Sequence, residues 1–301
     1  MILEKNITDG ISGKKIIDKI MRVFVFGSNG MLGRYVSTYL KNYYEVIEVT
    51  RNEIDSSSVR QEELHAKLSH MGLKENDVVV NCVGTIKPMV DSLGDLNAIQ
   101  VNSVFPRILA NVCQNMGVRM IHPTTDCVYT GNKGQYDEKD LHDISDVYGR
   151  TKSLGEPENC TVIRTSIIGE EVSNGRSLVE WIKSNNGGKI NGYLNHHWNG
   201  VTCLQFAKIV KTMISNDLFW FGTKHLHSNT LNKYELSSSI NNHFNLGIEV
   251  TPMSVGNDVD RSLSTIYKDN LEKFDIPSLD EQIKDMYEFH SELYNIKSVT
   301  V

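Results

Sequence analysis

The sequence predicts an α/β protein, a Rossmann-type doubly wound parallel sheet with a smaller C-terminal substrate-binding lobe. Three observations predict it. First, a short apolar run, Arg22-Val23-Phe24-Val25-Phe26, ends in Gly27-Ser28-Asn29-Gly30-Met31-Leu32-Gly33, and a helical pattern follows with Leu32, Val36, Tyr39 and Leu40 on one face. Second, strand-like and helix-like segments alternate from there to Thr125, the order expected of a parallel sheet covered by helices on both sides. Third, an apolar strand breaks into Thr124-Thr125-Asp126-Cys127-Val128-Tyr129, and a Tyr and a Lys four residues apart, Tyr148 and Lys152, come soon after. If Tyr148 opens a helix, Lys152 lies one turn on, on the same face.

Composition narrows the function. The 301 residues are 40% hydrophobic and 23% charged, ordinary for a globular protein with a sizeable core. The net charge of -6, with no basic block, argues against nucleic acid as a partner. No apolar run reaches the ~20 residues of a membrane helix, so no membrane partner is expected. The five cysteines are scattered without a CxxC pair. They read as reduced thiols of a cytoplasmic protein, with no zinc site. Residues 1–20 alternate charged and apolar side chains without the uninterrupted apolar centre of a signal peptide. They are expected to be an N-terminal extension without chemistry, ahead of a dinucleotide-binding domain over 21–168 and a mainly substrate-binding lobe over 169–301.

Taken in order, the Gly27–Gly33 turn has the spacing GxxGxxG. Glycines let the backbone turn sharply and approach a pyrophosphate, which then sits on a helix N-terminus. Glu45 to Arg51 reads as the second strand. Sites that prefer NAD carry an acid at its end, for the ribose diol. Here the end is Thr50-Arg51-Asn52, and Arg51 suits a 2′-phosphate, so NADPH is expected over NADH. Glu62 to Met71 is a helix. Asp77 to Gly84 is a buried strand leaving into a loop, with Cys82 a small core residue. Asn97 to Met116 is one long helix with Asn102 near its middle, and Val118 to Thr125 is the next strand. A ligand then belongs at the carboxyl ends of the strands, where the Gly27 turn and Thr125 both lie.

These segments, GSNGMLG, DVVVNCVG, Asn102, TTDCVY and YGRTKSLGE, resemble in order and spacing the extended short-chain dehydrogenase/reductase family, and within it the dTDP-4-dehydrorhamnose reductase group. Tyr136-Asp137-Glu138 and Val162-Ile163-Arg164-Thr165-Ser166 also resemble segments of that group. The likeness covers roughly 21 to 210 and fades beyond. It implies a cofactor held by Gly27, Ser28, Asn29, Gly30, Met31, Leu32, Gly33, Arg51, Cys82, Val83, Gly84, Asn102, Tyr148 and Lys152. It implies a triad of Thr125, Tyr148 and Lys152. In that triad Tyr148 donates the proton to the nascent alkoxide, Lys152 lowers the phenol's pKa, and Thr125 hydrogen-bonds the carbonyl oxygen.

Cys127 adds a second chemistry. On an extended segment, side chains two apart share a face, so Cys127 is expected in the cleft that Thr125 faces. Simple 4-reductases usually have an aromatic there. GDP-fucose synthase and plant-type UDP-rhamnose synthases have SSCIY and TGCIF, where the Cys exchanges protons beside the ketone. Two readings stand side by side: an epimerase acid/base, or packing against the sugar. Lys183, His196 and His197 are the available partners for a two-faced epimerisation.

The second half holds helices over 177–184, 202–215, 232–244 and 281–294, and a short strand or turn over 249–253. Tyr193 to Thr202 sits where relatives carry a substrate loop, and its Gly200-Val201-Thr202 lacks their Pro. Trp198, with Thr125, Asp126 and Cys127, is expected to contact substrate. His196 and His197 lack a carboxylate at ligand spacing, so no metal is expected.

The sequence therefore points to an NADPH-dependent reductase of a nucleotide-linked 4-keto-6-deoxyhexose in rhamnose-type deoxysugar synthesis, with C3 or C5 epimerisation by Cys127 as an added activity. The nucleotide (UDP, dTDP or GDP) stays open. The resemblance also implies a homodimer, the usual state of the family. The rival is a non-catalytic NADP-binding regulatory subunit, and the complete triad weighs against it. Cys127 in place of a second acid after Thr125 argues against a dehydratase.

Overall fold

A computed structural model of the chain describes residues 21–172, 175 and 177–295. The N-terminal extension expected over residues 1–20 lies outside them. From the N-terminus come β1 (Arg22–Phe26), α1 (Met31–Leu40), β2 (Glu45–Val49), α2 (Gln61–His70), β3 (Val78–Asn81), α3 (Lys87–Leu93), α4 (Asp95–Ile99), α5 (Phe105–Asn115), β4 (Arg119–Thr124), α6 (Val147–Leu154) and β5 (Thr161–Arg164). After these come β6 (Ile167–Ile168), α7 (Leu178–Ser184), β7 (Lys189–Tyr193), β8 (His196–Trp198), β9 (Val201–Thr202), α8 (Cys203–Ser215), β10 (Gly222–His225), β11 (Leu231–Asn232), α9 (Lys233–His243), β12 (Glu249–Met253), β13 (Val259–Asp260), α10 (Lys268–Leu271), α11 (Leu279–Glu288) and α12 (His290–Asn295).

Six strands form the main sheet in the order β10-β5-β4-β3-β1-β2. Every neighbouring pair is parallel. The apolar strands alternate between two cores. Phe24, Phe26, Val79, Met120 and Val162 pack on one face with Leu64, Leu68 and Leu109 of α2 and α5. Val23, Val25, Val80, Ile121 and Ile163 pack on the other with Val36, Leu40, Phe206 and Val210 of α1 and α8. This is the two-sided burial that a parallel sheet requires, and it is why the strands read as continuous apolar runs. From β1 the chain steps to β2 on one side, and β3 pairs on the other. That switch opens a crevice at the carboxyl ends of β1 and β3.

The remaining elements pack around a third core that includes Val179, Ile182, Ile190, Leu236, Ile240 and Ile283. They include a three-stranded sheet ordered β11-β8-β13 and a pair, β12 with β7. β10 leaves this half of the chain and joins the main sheet beside β5.

Three expectations need correction. The single helix over 97–116 is α4, a π-helical turn over Gln100–Val104, and α5. Pro106 explains the widening: it lacks the N–H that would bond the Asn102 carbonyl four residues back. The substrate loop over 193–202 is largely strand, because β8 pairs with segments far along the chain, Leu231–Asn232 and Val259–Asp260. The last helix starts earlier, at Leu279, because Ser278 and Glu281 form a capping box, and it divides into α11 and α12.

Candidate functional site

The glycine turn lies where β1 gives way to α1. Gly27 has φ +69°, and its N–H donates to the Val49 carbonyl at 2.9 Å. Gly33 is required by close approach, since a Cβ there would collide with the Gly27 carbonyl. Gly30 caps α1 without a side-chain hydrogen bond, so the first N–H groups of the helix are left for a ligand. Gly27, Asn29, Gly30, Thr50 and Arg51 line a cavity of about 260 Å³. Cys82, Val83, Gly84 and Thr85 line both this cavity and a larger one of about 460 Å³. Arg51 is mostly exposed, with Asp55 at 3.6 Å. The Ser28 hydroxyl is buried below the turn without a hydrogen-bond partner among the described residues.

The larger cavity joins the glycine turn to the second motif. Its lining includes Gly30, Met31, Leu32, Thr125, Cys127, Tyr148 and Lys152. Asp146 caps α6 by accepting from Gly149 N at 2.8 Å, which starts the helix one residue before Tyr148. Lys152 then falls one turn on, as its spacing predicts. Gly149 lets α6 close on the segment that carries Cys127: an added Cβ would meet the Cys127 carbonyl at 2.6 Å and Ile144 at 2.5 Å.

Cys127 reaches the cavity by a different route from the one expected. Asp126–Val128 is a 3-10 turn, so alternation along an extended strand does not apply. Thr125 caps that turn: its Oγ1 accepts from Cys127 N at 3.1 Å and donates to Asp126 Oδ1 at 3.2 Å. The Thr hydroxyl and the turn residues compete with strand geometry for the backbone, and the turn wins.

Burial dominates the electrostatics. It lowers the Lys152 ammonium to about 8, with Glu156 opposing. It raises the Tyr148 phenol above its ordinary value, Cys127 and Asp126 add to this, and the Thr125 hydroxyl opposes. Burial, the largest cause at both groups, raises Tyr148 and lowers Lys152. Burial, then Asp126, pushes the Cys127 thiol up to about 12.

Several expected site residues do not line the cavities. Asn102 is buried. Its amide accepts from Thr85 N at 2.8 Å and donates to Thr85 O at 3.0 Å and Thr151 Oγ1 at 3.2 Å, so it holds the cavity wall from behind. Asp126 is 2% exposed and supports Thr125. Trp198 is 5% exposed and belongs to the third core, because β8 is a sheet strand and not a loop. Lys183 is held by Glu170 at 2.8 Å and Glu180 at 3.0 Å. His196 lies tilted against Tyr193, with ring centroids 5.0 Å apart. Among the described residues no group of three or more His, Cys, Asp or Glu is placed to hold a metal ion. No helix among them is long and apolar enough to cross a membrane.

The sequence reading missed two features. Thr85 lines both cavities. Behind the site, Arg164 is almost fully buried, forms an ion pair with Glu156, and donates to Tyr129 Oη at 2.9 Å, His225 Nε2 at 2.8 Å and His142 Nε2 at 2.7 Å. An Arg closing an apolar strand is the signal that could have found this network, since such a charge is buried only with partners.

A glycine turn opening α1, a second cavity wall from β3, and a Thr, Tyr and Lys on one cleft define a Rossmann-type α/β protein with its candidate site at the strand ends. The chain belongs to the RmlD substrate binding domain family, whose model matches residues 21–258. It is 30% identical over 157 residues to a dTDP-4-keto-6-deoxy-D-glucose reductase of Streptomyces niveus, a match that covers 48% of this chain and 52% of that one. The chain thus spans about half the length of the curated reductase it matches. It is also 25% identical over 250 residues to methionine adenosyltransferase 2 subunit beta of Rattus norvegicus, covering 75% of this chain and 72% of that one. In fold it is similar to a dTDP-4-dehydrorhamnose reductase of Bacillus anthracis solved with NADP, at a TM-score of 0.75 and 18% identity, over 89% of this chain and 99% of that one.

Proposed function

We propose that this chain carries out NADPH-dependent reduction at C4 of a nucleotide-linked 4-keto-6-deoxyhexose, with Cys127 adding proton exchange at C3 or C5. The observation that carries the reading is the single cavity lined by Gly30, Met31 and Leu32 at one end and by Thr125, Cys127, Tyr148 and Lys152 at the other. The residues fit a dinucleotide: the uncapped N-terminus of α1 suits a pyrophosphate, and Arg51 beside Thr50 suits a 2′-phosphate. Bound there, NADPH would supply the hydride. In this reading residues 21–168 hold the cofactor and residues 169–301 mainly hold the sugar nucleotide.

Tyr148, protonated because burial raises its pKa, donates its proton to the oxygen of the reduced ketone. Thr125 orients that oxygen. Lys152, near neutrality in its own titration, returns a proton toward the phenol and holds positive charge at the cavity wall. The neutral Cys127 thiol faces the same cavity and exchanges protons on a carbon beside the ketone. The dTDP sugars in the relatives' names favour a dTDP substrate, with UDP and GDP as the other nucleotides to offer. A second reading, a non-catalytic subunit, draws on the 250-residue match to methionine adenosyltransferase 2 subunit beta.

The test follows NADPH oxidation by absorbance with dTDP-4-keto-6-deoxyglucose and its UDP and GDP counterparts. Wild-type protein is expected to turn over, and Tyr148→Phe to lose about 10²–10⁴-fold in kcat. Bound NADPH that is not oxidised with any of the three sugars would refute the reductase and favour the non-catalytic subunit.

A further inference from the structure

Cys127 needs a partner if a stereocentre is to be inverted, because removal and return of the proton occur on opposite faces of the carbon. Of the residues the sequence offered, Lys183 is held in its ion pairs. A different group stands out. Lys233 is the first residue of α9, directly after the Asn232 cap. A helix N-terminus disfavours a cation, so the local structure works against this charge. Among the described residues its ammonium makes no ion pair. It lies 5.4 Å from the centroid of the buried Trp198 ring. It lines a cavity of about 300 Å³ with His196 and Tyr193, and Leu178 lines both this cavity and the large cleft that holds Cys127.

We propose that Lys233 is the second proton-transfer group of this site, working with Cys127 to epimerise the 4-keto sugar before reduction. The proposal rests on the epimerase reading of Cys127. Lys233 stands within electrostatic reach of Asp126 and Cys127 from the turn after β4, and of Arg261 beyond β13. His196 on β8 faces it as well. Burial, first, and Arg261 lower the Lys233 pKa, while Asp126 and Cys127 oppose.

The step balances without a redox change. The Lys233 amine takes a proton from the carbon next to the ketone. The C–H electron pair forms the enolate double bond, and the carbonyl pair moves onto the C4 oxygen near Thr125 and Tyr148. The Cys127 S–H then delivers its proton to the opposite face, the C=O bond re-forms, and the centre is inverted. An ammonium and a thiolate remain, and proton exchange through solvent restores both.

The test uses the protein in deuterated water with dTDP-4-keto-6-deoxyglucose, loaded with NADP to read deuterium at C3 and C5 by NMR and, in parallel, with NADPH to read 4-reduction. Wild type, Lys233→Met, Lys233→Arg and Cys127→Ser are compared, with thermal melts to confirm folding. Loss of exchange of about 100-fold or more in both Lys233 variants, exceeding the loss of 4-reduction in the same variants, supports the proposal. Arg keeps the charge and cannot act as a base, so retention of exchange in Lys233→Arg overturns the proton-transfer role. If Lys233→Met fails to fold, Lys233→Arg carries the test. If wild type oxidises NADPH with the sugar but shows no exchange, the epimerase reading of Cys127 fails and takes this proposal with it. If exchange survives in both Lys233 variants but not in Cys127→Ser, Cys127 stands and Lys233 falls.

Discussion

Gly149→Ala sets helix propensity against packing. Alanine in place of glycine inside a helix gains about 1 kcal/mol. At this position the new Cβ would stand 2.6 Å from the Cys127 carbonyl and 2.5 and 2.8 Å from two carbons of Ile144. The carbonyl is backbone in the 3-10 turn capped by Thr125, so it cannot swing aside as a side-chain tip would. Restoring ordinary contact needs a shift of roughly half an ångström or more between α6 and that turn. Overpacking of this kind costs about 2–3 kcal/mol, which exceeds the propensity gain. The expected result is net destabilisation of about 1–2 kcal/mol by urea denaturation. The shift also moves Tyr148, on α6, away from Thr125, at the turn. Misplacement on this scale costs about 10²-fold in rate, so the reductase assay should fall further than stability alone explains. A Gly149→Ala protein as stable as wild type, with unchanged kcat, would refute the account of why α6 approaches so closely.

Three further outcomes follow from the same geometry. Below pH 6.5 the unfolded chain binds a proton at His225 that the folded state refuses until about pH 4, because burial and Arg164 disfavour the imidazolium. His142, also against Arg164, is lowered in the same direction. This contribution to stability is thus whole above pH 6.5 and is lost as pH falls from there toward 4. The melting temperature of His225→Gln should fall less than wild type between pH 7.5 and 5, and equal slopes would count against the network. Lys152 is charged below about 8 in the folded state and below 10.5 unfolded, so at neutral pH its burial costs about 3 kcal/mol. Lys152→Met should therefore be more stable in urea while losing reduction, and a less stable variant would contradict this. Arg51→Ala should raise the KM for NADPH about 10- to 100-fold and leave NADH unchanged, and a similar change for both cofactors would mean Arg51 does not read the 2′-phosphate.

The fold class was legible because its signals are local. The apolar run at 22–26 with its glycine turn, the alternation of strand and helix, and the capping residues Asp146, Ser177, Thr202 and Asn232 each specify their own segment. The spacing of Tyr148 and Lys152 needed only 3.6 residues per turn. What failed were inferences that assumed a backbone. Cys127 was placed by strand alternation, and a hydroxyl two residues earlier turned the chain into a 3-10 turn. The helix around Asn102 was read as regular, and Pro106 widened it while the Asn102 amide bonded Thr85.

Sequence alone decided which elements form and which residue types meet at the ends of the strands, because periodicity, caps and turns act between near neighbours. Tertiary structure alone decided the charges and the partners. Tyr148 is raised and not lowered because burial depends on every element packed around it. Trp198 left the site for the core because β8 pairs with residues 231–232 and 259–260. Lys233 came near Cys127 across more than a hundred residues of chain, a distance over which no local pattern carries information.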